Sequence, residues 1–209
     1  AEDHPVQEAL GSIKTASARA ADLVSKILVF SREAKEEIEE VYPCVILKDA
    51  LGLLRAVIPS TIEIQENIAS VSCRAMADTT QFHQVIMNLV NNARQAIGKE
   101  MGRIRVTLEE KSISGPEAAG LKIDPGPYIC LSVEDSGCGM DKATMERIFD
   151  PFFTTKEVGE GTGLGLATIH GIVHGHGGAI DVTSQLGIGT RFDVYFPAIA
   201  PEVRVAAPS

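Results

Sequence analysis

The sequence predicts an α+β fold: a two-layer sandwich with helices on one face of a mixed β-sheet, preceded by a long helix. Three observations predict this class. Helical and strand patterns are interleaved along the chain, the last two strands form an antiparallel hairpin, and the N-terminal segment carries an uninterrupted heptad pattern. The hairpin arrangement argues against a doubly wound parallel sheet.

The long helix is predicted over residues 1–42, because residues 6–41 contain no proline and a single glycine. Apolar and small side chains recur there in steps of three and four, at Val6, Leu10, Ile13, Ser17, Ala20, Val24, Ile27, Ser31, Ala34, Ile38 and Val41. A helix of about 50 Å cannot bury such a stripe on itself. We expect a homodimer through this helix, as a two-stranded coil or a four-helix bundle, and packing on its own globular domain is the alternative.

The globular domain is predicted over residues 43–198, with residues 199–209 as a linker or tail. Asp78 is a good N-cap for the helix "TTQFHQVIMNLVNNARQAI", and a second long helix is expected to begin near Leu164. Shorter helices are predicted in "LKDALGLLRAVI" and after "DSGCGM". Strands are predicted in "TIEIQENI", "SCRAM", "RIRVTLEE", "YICLSVED", "AIDVTS" and "TRFDVYF", with a polar loop between the third and fourth of these.

Composition and charge exclude several classes of protein. A net charge of −9 argues against nucleic acid or an anionic membrane as a partner. The four cysteines form no CxxC pair, so a zinc site or a disulfide framework is not expected. No apolar run approaches the roughly 20 residues that span a bilayer. We therefore expect a cytoplasmic segment that makes no direct membrane contact.

The stretch "GEGTGLGLATIHGIVHGHGG", which begins at Gly159, is typical of a loop whose backbone N–H groups bind phosphate. Three common phosphate-binding folds do not fit it. A Rossmann loop lies between the first strand and the first helix, a P-loop needs Gly-Lys-Ser/Thr, and a protein-kinase loop needs a later His-Arg-Asp. None of these conditions is met here.

Four further segments narrow the choice of ligand. "NLVNNA" places Asn88 and Asn92 four apart on one helix face, and amide oxygens suit a Mg²⁺ ion. "VEDSGCGM" ends a strand with Asp135, a carboxylate that can accept from an exocyclic amine. "RIFDPFFTTK" carries Lys156 within reach of a phosphate, and "GIGTRF" carries Thr190, which can bond a base edge. Each segment alone is weak evidence for a particular ligand, and it is their order along the chain that supports the interpretation.

With these motifs in this order, the sequence resembles the catalytic ATP-binding domain of bacterial two-component sensor histidine kinases. That domain shares its ATPase fold with gyrase, heat-shock chaperone ATPases and mismatch-repair proteins. The resemblance runs from about residue 16 to Pro197. "QFHQVIMNLVNNARQAI" matches the asparagine box, "DSGCGM" and "GTGLGL" the glycine boxes, and "RIFDPFFTTK" the phenylalanine box. "AADLVSKILVFSR" is similar to the second helix of the dimerisation and phosphoacceptor hairpin.

The resemblance implies a role for each matching residue. Asn92 would coordinate a Mg²⁺ ion that bridges the ATP phosphates, Asn88 would contact the phosphate–metal cluster or orient the attacking group, and Asp135 would accept from the adenine amino group. The residues implied to shape the base pocket are Gly137, Gly139, Met140 and Thr190. Those implied to hold the triphosphate are Lys156, Gly161, Thr162, Gly163, Leu164 and Gly165, and Ile148 and Leu166 complete the nucleotide site.

The implied reaction is transfer of the γ-phosphoryl group of ATP to a histidine, and then to an aspartate of a response regulator receiver domain. His4 is followed by Pro5 and lies too close to "FSR" to belong to the first hairpin helix. We therefore expect this segment to bind Mg²⁺–ATP without phosphorylating itself. Gln95 stands where many relatives carry an acid or a lysine. Two alternatives stay open: an ATP-hydrolysing conformational switch, and a non-catalytic nucleotide-sensing adaptor.

Overall fold

The computed structural model describes residues 38–69, 74–156 and 161–199. The strands are β1 (Glu39–Val41), β2 (Ile62–Ile68), β3 (Ala75–Ala77), β4 (Gly102–Ile113), β5 (Gly126–Asp135), β6 (Ala179–Gln185) and β7 (Gly189–Pro197). The helices are α1 (Pro43–Arg55), α2 (Thr79–Ile97), α3 (Gly115–Leu121), α4 (Lys142–Met145) and α5 (Gly165–Gly175). Within these ranges, no helix combines the length and apolarity that crossing a membrane requires.

The main sheet has five strands in the order β2-β4-β5-β7-β6. Strands β2 and β4 are parallel, whereas β4–β5, β5–β7 and β6–β7 are antiparallel. Strands β1 and β3 form a separate antiparallel ribbon. The mixed sheet confirms the predicted α+β class. Its register also places the last residue of β5, Asp135, opposite Thr190 near the start of β7.

The main hydrophobic core lies between one face of the sheet and helices α1, α2 and α5. Alternate residues of β5 point to opposite faces of the sheet. Ile129, Leu131 and Val133 belong to the main core. Tyr128 and Cys130 point to the opposite face, where they pack in a smaller cluster. Helices α1, α2 and α5 therefore cover one face, and the smaller cluster, which includes Ala118 of α3, covers part of the other.

Helix α2 is held at its N-terminus by two contacts. The Asp78 carboxylate accepts a hydrogen bond from the Gln81 N–H at 3.0 Å, as predicted for an N-cap. The Asp78 N–H donates to Nε2 of His176 at 3.2 Å, and Nδ1 of the same ring lies 2.8 Å from the Ile172 carbonyl oxygen. The imidazole thus links the end of α5 to the start of α2. This is a structural role.

The structure differs from the sequence prediction in two places. The long N-terminal helix is predicted to continue to Tyr42, but residues Glu39–Val41 form strand β1, where Val41 pairs with Ala75 and is buried. The segment predicted as a polar loop contains helix α3, whose Ala118 is buried in the smaller cluster. The rest of the predicted long helix and nearly all of the predicted tail lie outside the described residues.

Candidate functional site

A cavity of about 660 Å³ lies between α2, the loop that follows β5 and the N-terminal end of α5. It brings together residues that are far apart in the sequence. The predicted site residues that line it are Asn88, Asn92, Asp135, Gly139, Met140, Ile148, Lys156, Gly161, Thr162, Gly163, Gly165, Leu166 and Thr190. Of the predicted set, Gly137 and Leu164 do not line it.

Asp135 lies at the end of β5 with 8% of its surface exposed. One carboxylate oxygen accepts a hydrogen bond from the Gly137 N–H at 2.8 Å. Burial raises the pKa of this carboxyl group, while hydrogen bonds from the backbone N–H groups of Gly137 and Thr190 counteract the shift and the charge of Glu134 adds to it. A buried carboxylate in the wall of a cavity is a strong acceptor for a donor on a bound ligand.

Thr190 and Met140 are connected through Ser184, a residue of β6 that sequence reasoning missed. The Met140 N–H donates to the Ser184 hydroxyl oxygen at 2.8 Å, and this oxygen lies 2.9 Å from the Thr190 hydroxyl. The Ser184 hydroxyl is also placed to donate to the Gly189 carbonyl oxygen at 3.1 Å. This network holds the loop after β5 against the β6–β7 hairpin. A serine in an alternating strand carries no sequence signal for such a role.

Two glycines allow close backbone contact around the cavity. A Cβ added at Gly137 would lie 2.6 Å from the carbonyl carbon of Ala96, so Gly137 packs against α2 rather than facing the cavity. Gly163 has a φ of +66°, and a Cβ there would lie 2.3 Å from the carbonyl carbon of Phe152. Because the Phe152 N–H also donates to the Gly163 carbonyl oxygen at 3.0 Å, the two segments touch directly.

Asn88 and Asn92 line the cavity, and neither side chain forms a hydrogen bond with another described residue. Asn91, which lies between them, differs because its amide oxygen accepts from the Arg94 guanidinium at 3.0 and 3.1 Å. The oxygens of Asn88 and Asn92 are therefore available to a ligand or a metal ion. An amide oxygen is a hard, neutral donor that suits Mg²⁺, so these residues fit the ion that the motif implies.

The N-terminal end of α5 lies beside the asparagine pair. Leu164 is the N-cap residue of this helix, and a Cβ added at Gly165 would lie 3.8 Å from Oδ1 of Asn88. The free N–H groups and the positive end of the helix dipole at this point favour an anion. The cavity thus offers an acceptor at one wall and groups that favour phosphate and metal at another.

Lys156 donates a hydrogen bond from its ammonium group to the amide oxygen of Gln95. Sequence reasoning named Lys156 but did not assign Gln95 to the site. The other cavity-lining residues that it missed are Asn91, Ala93, Ala96, Cys138, Thr144, Phe153, Thr154, Thr155 and Phe192. Most of these are next to a motif residue in the chain, which is the signal that could have identified them.

Comparison with known proteins agrees with this geometry. A sequence model of the family described as "Histidine kinase-, DNA gyrase B-, and HSP90-like ATPase" matches residues 77–200. The chain is 39% identical over 196 residues to the sensor kinase CckA of Brucella abortus. The aligned region covers 92% of this chain and 20% of that protein. It is 32% identical over 176 residues to the histidine-protein kinase AtoS of Escherichia coli, covering 84% of this chain and 26% of that protein. The chain therefore spans about a fifth to a quarter of these relatives.

Solved structures of histidine kinases are also similar to this chain. The catalytic domain of the histidine kinase ThkA superposes with a TM-score of 0.63 at 31% identity, covering 77% of this chain and 95% of that one. ThkA in complex with the response regulator protein TrrA superposes with a TM-score of 0.71 at 26% identity, covering 94% of this chain and 52% of that one. The resemblance to sensor histidine kinases is thus confirmed, and the chain belongs to the histidine kinase-, DNA gyrase B-, and HSP90-like ATPase family.

Proposed function

We propose that this chain is the catalytic region of a sensor histidine kinase, which binds Mg²⁺–ATP and donates its γ-phosphoryl group to a histidine. The observation that carries the proposal is that one cavity contains both the buried Asp135 carboxylate and the uncommitted amide oxygens of Asn88 and Asn92. A ligand that spans these groups needs a hydrogen-bond donor at one end and a metal–phosphate group at the other. ATP has both features.

In this proposal each side chain has a separate task. Asp135 accepts from the adenine amino group, and Thr190, held by Ser184, lies beside it at the base. Asn92 would hold Mg²⁺, which supplies neutralisation of the phosphate charge when it is bound. Lys156 and the N-terminal end of α5 bind phosphate oxygens. The protein contributes mainly position and electrostatic stabilisation, as is usual in phosphoryl transfer.

The acceptor histidine supplies the nucleophile, a neutral imidazole nitrogen. It forms a bond to the γ-phosphorus while the bond from this phosphorus to the β,γ-bridging oxygen breaks, and ADP leaves. We propose that the acceptor lies outside this chain, and that the phosphoryl group then passes to an aspartate of a response regulator. A dimerising helix in the segment that precedes β1, and a cytoplasmic location, complete the proposal.

Asn88 distinguishes this function from steady ATP hydrolysis. A hydrolysing member of the same fold needs a general base that activates water, and an amide is too weak a base for this step. With Asn88 one helical turn before Asn92, the cavity offers no carboxylate on this face of α2. The acceptor histidine needs no such base, because its nitrogen is already nucleophilic when it is neutral.

The experiment is incubation of the full-length protein with γ-labelled ATP, followed by acid and base treatment of the protein. We expect label that is lost in acid and retained in base, as for a phosphohistidine. Asn92→Ala abolishes the label, whereas the control Asn67→Ala, at an exposed residue of β2 that does not line the cavity, retains most of it. Release of inorganic phosphate without labelled protein would contradict the proposal and favour the hydrolytic alternative.

A further inference from the structure

Ser184 of β6 contacts two cavity-lining residues without lining the cavity itself. Its hydroxyl oxygen lies 2.8 Å from the Met140 backbone nitrogen and 2.9 Å from the Thr190 hydroxyl oxygen. The Gly189 carbonyl oxygen lies at 3.1 Å. Any influence of Ser184 on a bound ligand therefore passes through Met140 or Thr190.

The three neighbours of the Ser184 hydroxyl differ in the hydrogen bonds that they can form. The Met140 N–H can only donate and the Gly189 carbonyl oxygen can only accept, whereas the Thr190 hydroxyl can do either. A hydroxyl has one proton and two acceptor sites. We assign the protons by the one arrangement that satisfies all three contacts: Ser184 donates to Gly189 and accepts from both Met140 and Thr190.

This assignment fixes the polarity of the Thr190 hydroxyl. Its proton is directed at Ser184, so its oxygen offers only a lone pair to a ligand in the cavity that Thr190 lines. The reverse assignment, in which Ser184 donates to Thr190, would turn the Thr190 proton toward the ligand and leave the Gly189 contact without a proton. Ser184 thus decides whether Thr190 acts as an acceptor or as a donor.

Thr190 and Asp135 together form one end of the cavity. They are directly opposite each other in the β5–β7 pair, so their side chains point to the same face, with Cβ atoms about 4.5–5.5 Å apart. Both residues are buried, with 5% and 8% of their surfaces exposed. An ionised carboxylate can only accept. These two side chains therefore offer two neighbouring acceptors to a ligand.

We propose that Ser184 is a positioning residue that directs the Thr190 proton away from the cavity, so that Thr190 and Asp135 select a purine with an amino group at C6 over one with a carbonyl group there. The amino group carries two N–H donors. A carbonyl oxygen carries none and would face two acceptors in a buried wall. This inference rests on the proposed function, because it takes a nucleotide as the ligand.

Calorimetric titration with Mg²⁺–ATP and Mg²⁺–ITP tests the proposal through the ratio of the two Kd values. Ser184→Ala frees the Thr190 proton to pair with the inosine carbonyl oxygen, so the ITP-to-ATP ratio is expected to fall about three- to tenfold. Ser184→Thr keeps the hydroxyl and is expected to restore the ratio to within about twofold of the unchanged protein. If Ser184 only supported the Met140 loop, Ser184→Ala would raise both Kd values by the same factor, and an unchanged ratio would overturn the proposal.

Thr183→Val is the matched control for loss of a hydroxyl group from the same strand. Thr183 is exposed on β6 and does not line the cavity. Both Kd values are expected to stay within about twofold of those of the unchanged protein, because exposed substitutions of this kind have small effects. A fall in the ratio equal to that of Ser184→Ala would show that any lost hydroxyl on β6 has this effect, and the proposal would be wrong.

A double-mutant cycle tests whether Ser184 acts through Thr190. Thr190→Val removes the hydroxyl at similar side-chain volume, and in this background Ser184→Ala is expected to leave the ITP-to-ATP ratio unchanged. Circular dichroism of each variant establishes that the fold is kept. The same fall in the ratio in both backgrounds would contradict the proposal. Failure of the unchanged protein to bind either nucleotide would instead overturn the proposed function, and this inference with it.

Discussion

Replacing Gly139 by alanine adds a methyl group where the loop after β5 meets the β6–β7 hairpin. Gly139 lines the cavity and has a φ of +64°, in the left-handed region that alanine rarely adopts. The added Cβ would lie 2.0 Å from the carbonyl oxygen of Gln185, far inside van der Waals contact. The obstacle is backbone, so no side chain can rotate away to relieve it.

The cost of this substitution has two parts. A left-handed conformation of alanine costs about 1–2 kcal/mol. Separating the loop from the hairpin also weakens the hydrogen bond of 2.7 Å from the Gly187 N–H to the Cys138 carbonyl oxygen, a loss of about 1 kcal/mol. We therefore expect the free energy of unfolding to fall by about 2–3 kcal/mol and the Tm to fall by about 4–12 °C.

Thermal unfolding followed by circular dichroism, together with calorimetric titration of ATP, measures both consequences. The Kd for ATP is expected to rise because the displaced loop carries Met140 at the cavity. Gly171→Ala is the matched control: this glycine of α5 has no heavy atom within 4 Å of its added Cβ, and the substitution is expected to stabilise the protein by about 0.5–1 kcal/mol. A Tm and a Kd for Gly139→Ala equal to those of the unchanged protein would refute the steric argument.

Three other substitutions have distinct expected results. Asp135→Asn removes a buried charge whose pKa is raised by burial, so the Tm at pH 7 should not fall by more than a few degrees, while the Kd for ATP rises roughly 10- to 100-fold in calorimetry. His176→Phe leaves the Asp78 N–H without its acceptor and is expected to lower the free energy of urea unfolding by about 1–2 kcal/mol with an unchanged Kd. Burial and the charge of His174 lower the pKa of His170, so the unfolded chain binds the proton first and stability falls as the pH drops below 6.5. His170→Gln should reduce this pH dependence of the free energy of unfolding. The effect is less than about 1 kcal/mol because the ring is largely exposed.

The elements that the sequence predicted well are those with a local signal. Helix α2 has apolar residues at helical spacing and an N-cap at Asp78, and the structure has both. Strands β4 and β5 alternate apolar and polar side chains, because one face of each is in the main core. The glycine motifs also carry a local signal, because a backbone that closely approaches another segment needs glycine at the point of contact.

The features that the sequence did not predict depend on contacts between distant segments. Helix α3 forms in a stretch with several glycines and prolines, where Ala118 packs against strand residues such as Tyr128. Strand β1 interrupts a continuous heptad pattern because Val41 finds a partner in Ala75. Such pairings are tertiary effects that outweigh local propensity.

The candidate site likewise contains residues with a local sequence signal and contacts that depend on the fold. Motif residues were identified individually, but the connection of Lys156 to Gln95, and of Met140 to Thr190 through Ser184, could not be read from spacing. These contacts involve common polar side chains and, at Met140, the backbone N–H, none of which is distinctive in the sequence. Only the fold brings them within hydrogen-bonding distance.

The central element of the proposed function is a hydrogen bond that Asp135 accepts from the amino group of adenine. Calorimetric titration with Mg²⁺–ATP and Mg²⁺–ITP tests this directly, because inosine carries a carbonyl oxygen where adenosine carries the amino group. We predict that ITP binds at least about tenfold more weakly than ATP, since two acceptors would then face each other in a buried wall. Equal affinities for ATP and ITP would contradict the account.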